Sequence, residues 1–541
     1  MKKILITAAS VIVAAALLGA CAPIDTARTN LSELAARVAG TGDANDVQTE
    51  NGASENSSQA EESNSFSIGV VGIDTWNPLL TQSVTVKEAM ELVYDTLFEV
   101  NEQHQAVPVL ASDYSISPDG RTVTVNLKPD VVWHGGGSFD SYDVVYTVNL
   151  IMSGATNLGN ALADVAACER AGTNSVKFTL HRSVPDFVSL LTFPIIKYKT
   201  SMDYNASTPP NGTGPYSFYG KVGTDKYLLT AFNAYHNGKA AVDTVNIIEA
   251  PDMEKYKLMF EASEIDLITD NTVDIVNSMP RGNIKTISYI SDKMTYLGFN
   301  TASSVLSTSA TRKGISNLVD RDGIVSAVLY SKGKAAKIPI NPESYLYYDT
   351  SESFGIDYEE AYSEFESDGW TAQEMGFTRT ANGAEQALSV ILLVNSDDAT
   401  KLRTAEKIKE GLERFGVKVI LDKQPYDAYE AKLNAHNFDL VLGEIHLAAN
   451  NDLTPLTGAG NYFSYANENV NTLIAQSGMT SDTAAKQQLF INLGEQLSAD
   501  MPFAPLYFAS GCVISGNKIK SGIEPTVSSD YRAANLWKCL N

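Results

Sequence analysis

Three consecutive stretches near residue 400 constrain the fold more than any others. Residues 388–394 are apolar apart from Ser389, residues 401–415 carry apolar side chains at helical spacing, and residues 417–421 are again apolar apart from Lys418. A short apolar run reads as a buried strand and a 3.6-residue apolar period as a helix, so the succession predicts a βαβ unit. The same alternation starts near Ser65. Residues 66–71 read as a strand, and residues 86–98 as a helix with Ala89, Leu92, Val93 and Leu97 on one face. Residues 121–127 and 242–249 read as further strands, which makes the fold class α/β. No repeat of solenoid period appears.

The first twenty-one residues bear on location. Lys2 and Lys3 precede an apolar stretch, residues 4–17, and Leu18-Gly19-Ala20-Cys21 is a small-residue cleavage site ending in cysteine. This is the pattern of a bacterial lipoprotein signal. Residues 1–20 are expected to be removed and Cys21 to be lipidated, which tethers the body outside the cytoplasmic membrane. Residues 21–64, poor in aliphatics and without an aromatic, read as a disordered tether about 35 Å from end to end. No later segment approaches the ~20 uninterrupted apolar residues of a membrane-spanning helix.

A net charge of −24 would repel nucleic-acid phosphates and anionic headgroups, so a nucleic-acid partner is not expected. With Cys21 acylated, three cysteines remain, and an odd number allows at most one bridge within the chain. Cys512 to Cys539 is the candidate bridge, with Cys168 buried. Their spacing fits no zinc pattern, and the six histidines are scattered. No HExxH, GxSxG or P-loop signature is present, and the spacing of Glu444 and His446 argues against a dyad. No catalytic residues, metal ligands or cofactor are assigned. Trp133 is expected to be packed, beside a flexible loop at His134-Gly135-Gly136-Gly137.

Several elements occur in a set order. Trp76-Asn77-Pro78 is followed by Val93-Tyr94-Asp95-Thr96-Leu97-Phe98, Ser117-Pro118-Asp119-Gly120, Val131-Val132-Trp133 and Gly212-Thr213-Gly214-Pro215-Tyr216. Then come Tyr296-Leu297-Gly298-Phe299-Asn300, Asp320-Arg321-Asp322-Gly323, Phe438-Asp439-Leu440 and Pro502-Phe503-Ala504-Pro505-Leu506-Tyr507. The series resembles family 5 of the bacterial extracellular solute-binding proteins, the oligopeptide- and dipeptide-binding components of ABC importers, and spans residues 66–515. The resemblance implies a two-lobed periplasmic-binding-protein-like fold of class II, with an extra small domain, closing on ligand at a hinge. One lobe is expected at 65–104, 206–298 and 503–541, the extra domain at 105–205, and the second lobe at 299–502. It further implies a monomer that passes a small ligand, foremost a short peptide, to an ABC permease. A nickel chelate, a sugar or another solute is the alternative ligand, and a signalling or chaperone lipoprotein the alternative role.

The resemblance also nominates ligand contacts. Gln82, Ser83 and Val84 stand where the family has its first cleft loop, and Tyr426 replaces an aromatic that meets ligand side chains. Tyr507 or Phe508 lies on the strand returning near the hinge. The stretch from Glu444 to Pro455, which includes His446, Asn450 and Asp452, departs most. Peptide-binding relatives pair an Asp there with the peptide's ammonium, and Ala448 takes its place here. Asp452, four residues on, either assumes that role or caps the following turn.

Overall fold

The computed structural model describes residues 64–200, 209–270, 283–350, 354–374, 376–381 and 383–540. The signal, Cys21 and all of the tether expected at 21–64 except Asn64 lie outside them.

The expected βαβ unit forms. Strands Ser389–Asn395 and Lys418–Gln424 pair in parallel, joined by helix Ala399–Arg414, which buries Thr404, Ala405, Ile408 and Leu412. Asp398 starts that helix by accepting hydrogen bonds from the N–H groups of Thr400 and Lys401. The unit belongs to an eleven-stranded sheet among the described residues. Its order runs from Lys418–Gln424 through Ser389–Asn395, Leu440–His446, Lys285–Phe299, Phe503–Ser515, Leu267–Asp270, Ser65–Val71, Thr244–Ala250 and Lys226–Ala231 to Tyr216–Lys221. Gly333–Ala335 pairs with Phe503–Ser515 off this path. A separate four-stranded antiparallel sheet is built from Ala111–Ile116, Thr122–Leu127, Val165–Gly172 and Ser175–Leu180. It packs with helix Ser141–Met152 around Trp133, Val144 and Phe178.

The helix expected over 86–98 is shorter, Val84–Met90. The backbone beyond it is occupied from outside. Val93 O accepts from Gly214 N and Leu92 O from Tyr216 N, both at 2.9 Å, so these carbonyls leave the helical ladder. Leu92, Val93 and Leu97 are buried all the same. The close approach explains the glycine of Gly212-Thr213-Gly214-Pro215-Tyr216, since a Cβ on Gly212 would stand 1.8 Å from Val93 O. The His134 loop is also not the flexible stretch expected. Its imidazole Nε2 donates to Gly214 O at 2.9 Å and Nδ1 accepts from Gly212 N at 3.3 Å, which sets the tautomer and laces the loop to the same turn. Trp133 is buried as expected, its indole N–H donating to Asp143 Oδ2 at 3.3 Å.

The candidate disulfide does not form. Cys512 and Cys539 are unbridged. Cys512 packs with Ala250 and Phe260 on one face of the sheet, and Cys539 packs against the core holding Val513 and Trp537 on the other, so alternation along the strand separates them. Cys168 is buried, and burial pushes its thiol up to about 12.

Two features of this fold are testable. Asp186, preceding a 3₁₀ turn beside the four-stranded sheet, meets Lys486 of helix Thr483–Asp500 at 2.9 Å, with 6% and 4% of the side chains exposed. Lys486→Met strands a buried carboxylate and is expected to cost about 3–5 kcal/mol in urea unfolding. Asp186→Leu in the same chain should restore most of the loss. The second feature is a trio of acids, Glu88, Glu91 and Asp530. Burial is the main cause raising each, Glu91 to about 8 and Asp530 to about 6, with Glu88 held well above its ordinary value. Such groups keep protons that the unfolded chain has released, so their contribution is fully present below the ordinary 4.5 of a glutamate and is lost as pH rises toward 8. The unfolding midpoint should therefore fall across that window, and Glu91→Gln should flatten the slope.

Candidate ligand cleft

The register along the two long strands sets where loops from the two ends of the sheet converge. Leu440–His446 runs antiparallel to Lys285–Phe299 and ends with His446 opposite Lys293. Leu267–Asp270 runs antiparallel to Phe503–Ser515 and ends with Asp270 opposite Cys512, which itself faces Ser288. The carboxyl ends of both sets thus point from opposite directions at residues 288–293, a span of about 17 Å at strand rise. Each set includes a parallel neighbour, Ser389–Asn395 in one and Ser65–Val71 in the other. Ligands of open α/β sheets bind outside the carboxyl ends of such strands.

The ladder breaks at this point. Ile290 pairs with Ser510 and Met294 with Phe508, so Ser291, Asp292 and Lys293 bulge out. Asn341 Nδ2 donates to Ile290 O at 3.2 Å and Ser291 O at 2.8 Å, while Glu343 Oε2 accepts from Ile290 N at 3.1 Å. These two side chains compensate for the interrupted strand pairing and hold the bulge in shape.

Charged groups collect around it. Glu444 lies 3.7 Å from Lys293 Nζ and 3.6 Å from Lys401 Nζ, and Lys401 also meets Asp398 at 3.0 Å. Burial works against the charge on Lys401, but Glu444 and Asp398 outweigh it and raise its pKa. For Asp398, burial likewise opposes charge, and hydrogen bonds from Lys401 bring its pKa below the usual value. His446 Nδ1 is 3.2 Å from Asp292, and that hydrogen bond lifts the imidazole above its ordinary value. Glu444 and His446, two apart on one strand, share a face rather than the opposite faces expected, so their spacing is no argument against a dyad; Glu444 meets Lys293 and Lys401, and His446 meets Asp292.

Of the nominated residues, the fold places four at these strand ends. Gln82 is exposed, its N–H donating to Asp74 Oδ2 at 2.7 Å, and Val84 is 60% exposed at the start of its helix. Tyr426, 53% exposed, begins helix Tyr426–Asn434 directly after strand Lys418–Gln424. His446 closes its own strand. The expected loop at 82–84 runs into a helix that starts at Val84, and Ser83 is its cap, its hydroxyl donating to Val71 O and accepting from Val86 N. Tyr507 is buried, its hydroxyl 3.4 Å from that of Thr404, and Phe508 is buried in the adjoining core. Asn450 is buried and accepts from Asp452 N. Asp452 has both oxygens engaged: Oδ1 accepts from Thr454 N–H and hydroxyl, and Oδ2 pairs with Arg182 from beyond strand Ser175–Leu180. It caps the turn and also forms an ion pair that could not be read from the chain.

Asp292, Lys293, Lys401, Asp398 and Glu444 were not nominated. Asp398, Lys401 and Glu444 lie at or just past the carboxyl end of a strand, where position was the one signal available, while Asp292 and Lys293 sit at the bulge inside Lys285–Phe299.

The same architecture recurs in known proteins. The family described as bacterial extracellular solute-binding proteins, family 5 (middle), matches residues 105–467. The chain is 22% identical over 466 residues to the oligopeptide-binding protein AppA of Bacillus subtilis, covering 82% of this chain and 85% of that one. It is 23% identical over 451 residues to the nickel-binding protein NikA of Staphylococcus aureus, covering 82% and 89%. Among solved structures, the periplasmic murein tripeptide binding protein MppA in its unliganded open form superposes with a TM-score of 0.76 at 18% identity, over 88% of this chain and 98% of that one. The shared architecture is the two-lobed periplasmic binding fold. With the family model spanning most of the chain and the two-lobed fold shared, this protein belongs to family 5 of the bacterial extracellular solute-binding proteins.

Proposed function

We propose that this protein captures a short peptide between its lobes and delivers it to the permease of an ABC importer. It acts as a monomer held outside the cytoplasmic membrane by acyl chains on Cys21. The observation that carries the ligand assignment is the mixed charge at the cleft floor. Lys293 and Lys401 stand beside Glu444, Asp398 and Asp292, so both termini of a zwitterion find an opposite charge within one span. Gln82, Val84 and Tyr426 supply exposed contact area around it. The relatives' names include oligopeptide, dipeptide, glutathione and nickel, which is consistent with a peptide and keeps a nickel chelate as the second reading. A ligand touching both lobes shifts the population toward a closed form, which the permease reads, and the bulge at 291–293 is the natural place for the strands to flex. The lobes of this reading are 65–104, 206–298 and 503–541 for the first and 299–502 for the second.

The peptide ammonium is assigned to Glu444 or Asp292 rather than Asp452, whose carboxylate would have to release Arg182. Calorimetry with a free and an N-acetylated tripeptide distinguishes them. Glu444→Gln or Asp292→Asn should weaken the free peptide by about thirtyfold, the worth of a buried charge-assisted contact of ~2 kcal/mol, and leave the acetylated one unchanged. Asp452→Asn should alter neither. Equal affinity of the parent for both peptides would eliminate ammonium recognition altogether.

Ligand class is read by thermal unfolding. At a hundredfold excess over the dissociation constant, a ligand confined to the native state adds about 2.7 kcal/mol. Pools of di- to hexapeptides should raise the midpoint, and silence of these pools beside a response to nickel–histidine or a sugar would reverse the assignment. Anchoring is read by detergent partitioning: the parent should enter the detergent phase and Cys21→Ala the aqueous phase, with unchanged unfolding. Recovery of both in detergent would remove the lipid anchor.

A further inference from the structure

A cavity of about 470 Å³ lies where helix Val84–Met90 and the turn after it meet the C-terminal segment 528–536 and the residues flanking the four-stranded sheet. It shares no lining residue with the charged floor of the cleft, so its chemistry is independent of the cleft's ligand. Its volume suits a small molecule. Pro78, Pro108, Pro194 and Pro215 line it, and because proline has no backbone N–H these stretches present carbon surface without a donor.

Most charges on its wall are matched. Arg532 pairs with Glu99 at 3.1 Å, and Asp95 meets His236 Nε2 at 3.0 Å and the Tyr235 hydroxyl at 3.1 Å. Glu91 Oε2 accepts from Ser529 Oγ at 2.6 Å and Tyr531 N at 3.1 Å, and burial keeps much of this carboxyl protonated near neutrality. Two ammonium groups are left over. The Lys87 ammonium makes no ion pair or hydrogen bond among the described residues, and that of Lys128 reaches only Asn237 Oδ1, at 3.4 Å. Burial lowers the pKa of Lys128 by more than the pull of Asp95 and Glu99 raises it, so its charge is held at a desolvation cost that these neighbours offset only in part. In a chain of net charge −24, two cations without an ion-pair partner on the wall of one cavity form a local exception.

We infer that this cavity is a second binding site, which takes a small organic carboxylate with its apolar body against the prolines and its carboxylate on Lys87 and Lys128. A compact hydrated oxyanion would satisfy the lysines but leave the carbon wall uncovered.

Calorimetry on the full chain with benzoate tests this. Benzoate should bind at least about tenfold more tightly than benzamide and than inorganic phosphate. The double variant Lys87→Met/Lys128→Met should lose benzoate by about tenfold or more while retaining near-ultraviolet circular dichroism and the affinity for a cleft peptide, and Lys128→Arg should keep benzoate. Equal binding of benzoate and benzamide, phosphate matching benzoate, or benzoate retained by the double variant would overturn the inference. Loss of benzoate in Lys293→Ala/Lys401→Ala instead would place it in the cleft and overturn it equally.

Discussion

The antiparallel pairing of Lys285–Phe299 with Phe503–Ser515 is the interaction on which the rest of this structure depends. These two strands, far apart in sequence, are the ones in the sheet's order that join its two ends, and every other strand takes its register from them directly or through a neighbour. Because strands on one side run toward residue 293 and those on the other toward residue 288, their loops must converge. The candidate ligand site emerges from register alone, before any side chain is considered. The interruption at 291–293 falls inside that span, where a regular ladder would be stiffest, and Asn341 and Glu343 satisfy the backbone groups it leaves.

Electrostatics then differentiates regions that the sheet treats alike. The four-stranded sheet's surroundings are tied to residues of the 450–490 region by Asp186 with Lys486, Arg182 with Asp452, and the Ser183 hydroxyl donating to Ala475 O. The first of these is almost fully buried, so its worth depends on both partners being present. The cleft floor is different: its lysines and acids are partly exposed, each cation has an anionic neighbour, and exchange of one partner for a ligand group costs less there than in the core.

A glycine and a histidine show how short motifs acquire meaning in three dimensions. The Gly212-Thr213-Gly214-Pro215-Tyr216 turn ends the preceding helix by taking the carbonyls of Leu92 and Val93, and His134 holds that turn from the other side. Neither contact involves sequence neighbours. An apolar period alone extended the helix to residue 98, since Leu92, Val93 and Leu97 are buried whether or not their backbone is helical.

What the sequence determined by itself is local or collinear: the βαβ unit at 389–424, the strands near 66, 122 and 244, the buried Trp133 and Cys168, and membership of a family whose elements recur in order. These are properties of short-range period and composition, which no distant residue needs to complete. The tertiary structure alone decided the rest. Asp452 reads as either an ammonium partner or a cap until Arg182, 270 residues away, is brought to it. Cys512 and Cys539 read as a bridge until strand alternation puts them on opposite faces. Tyr507 reads as a cleft aromatic until its neighbours in the core are known. The cleft's charged groups carry no motif at all, because they are collected by strand ends from separate parts of the chain, and only the sheet's register makes them neighbours.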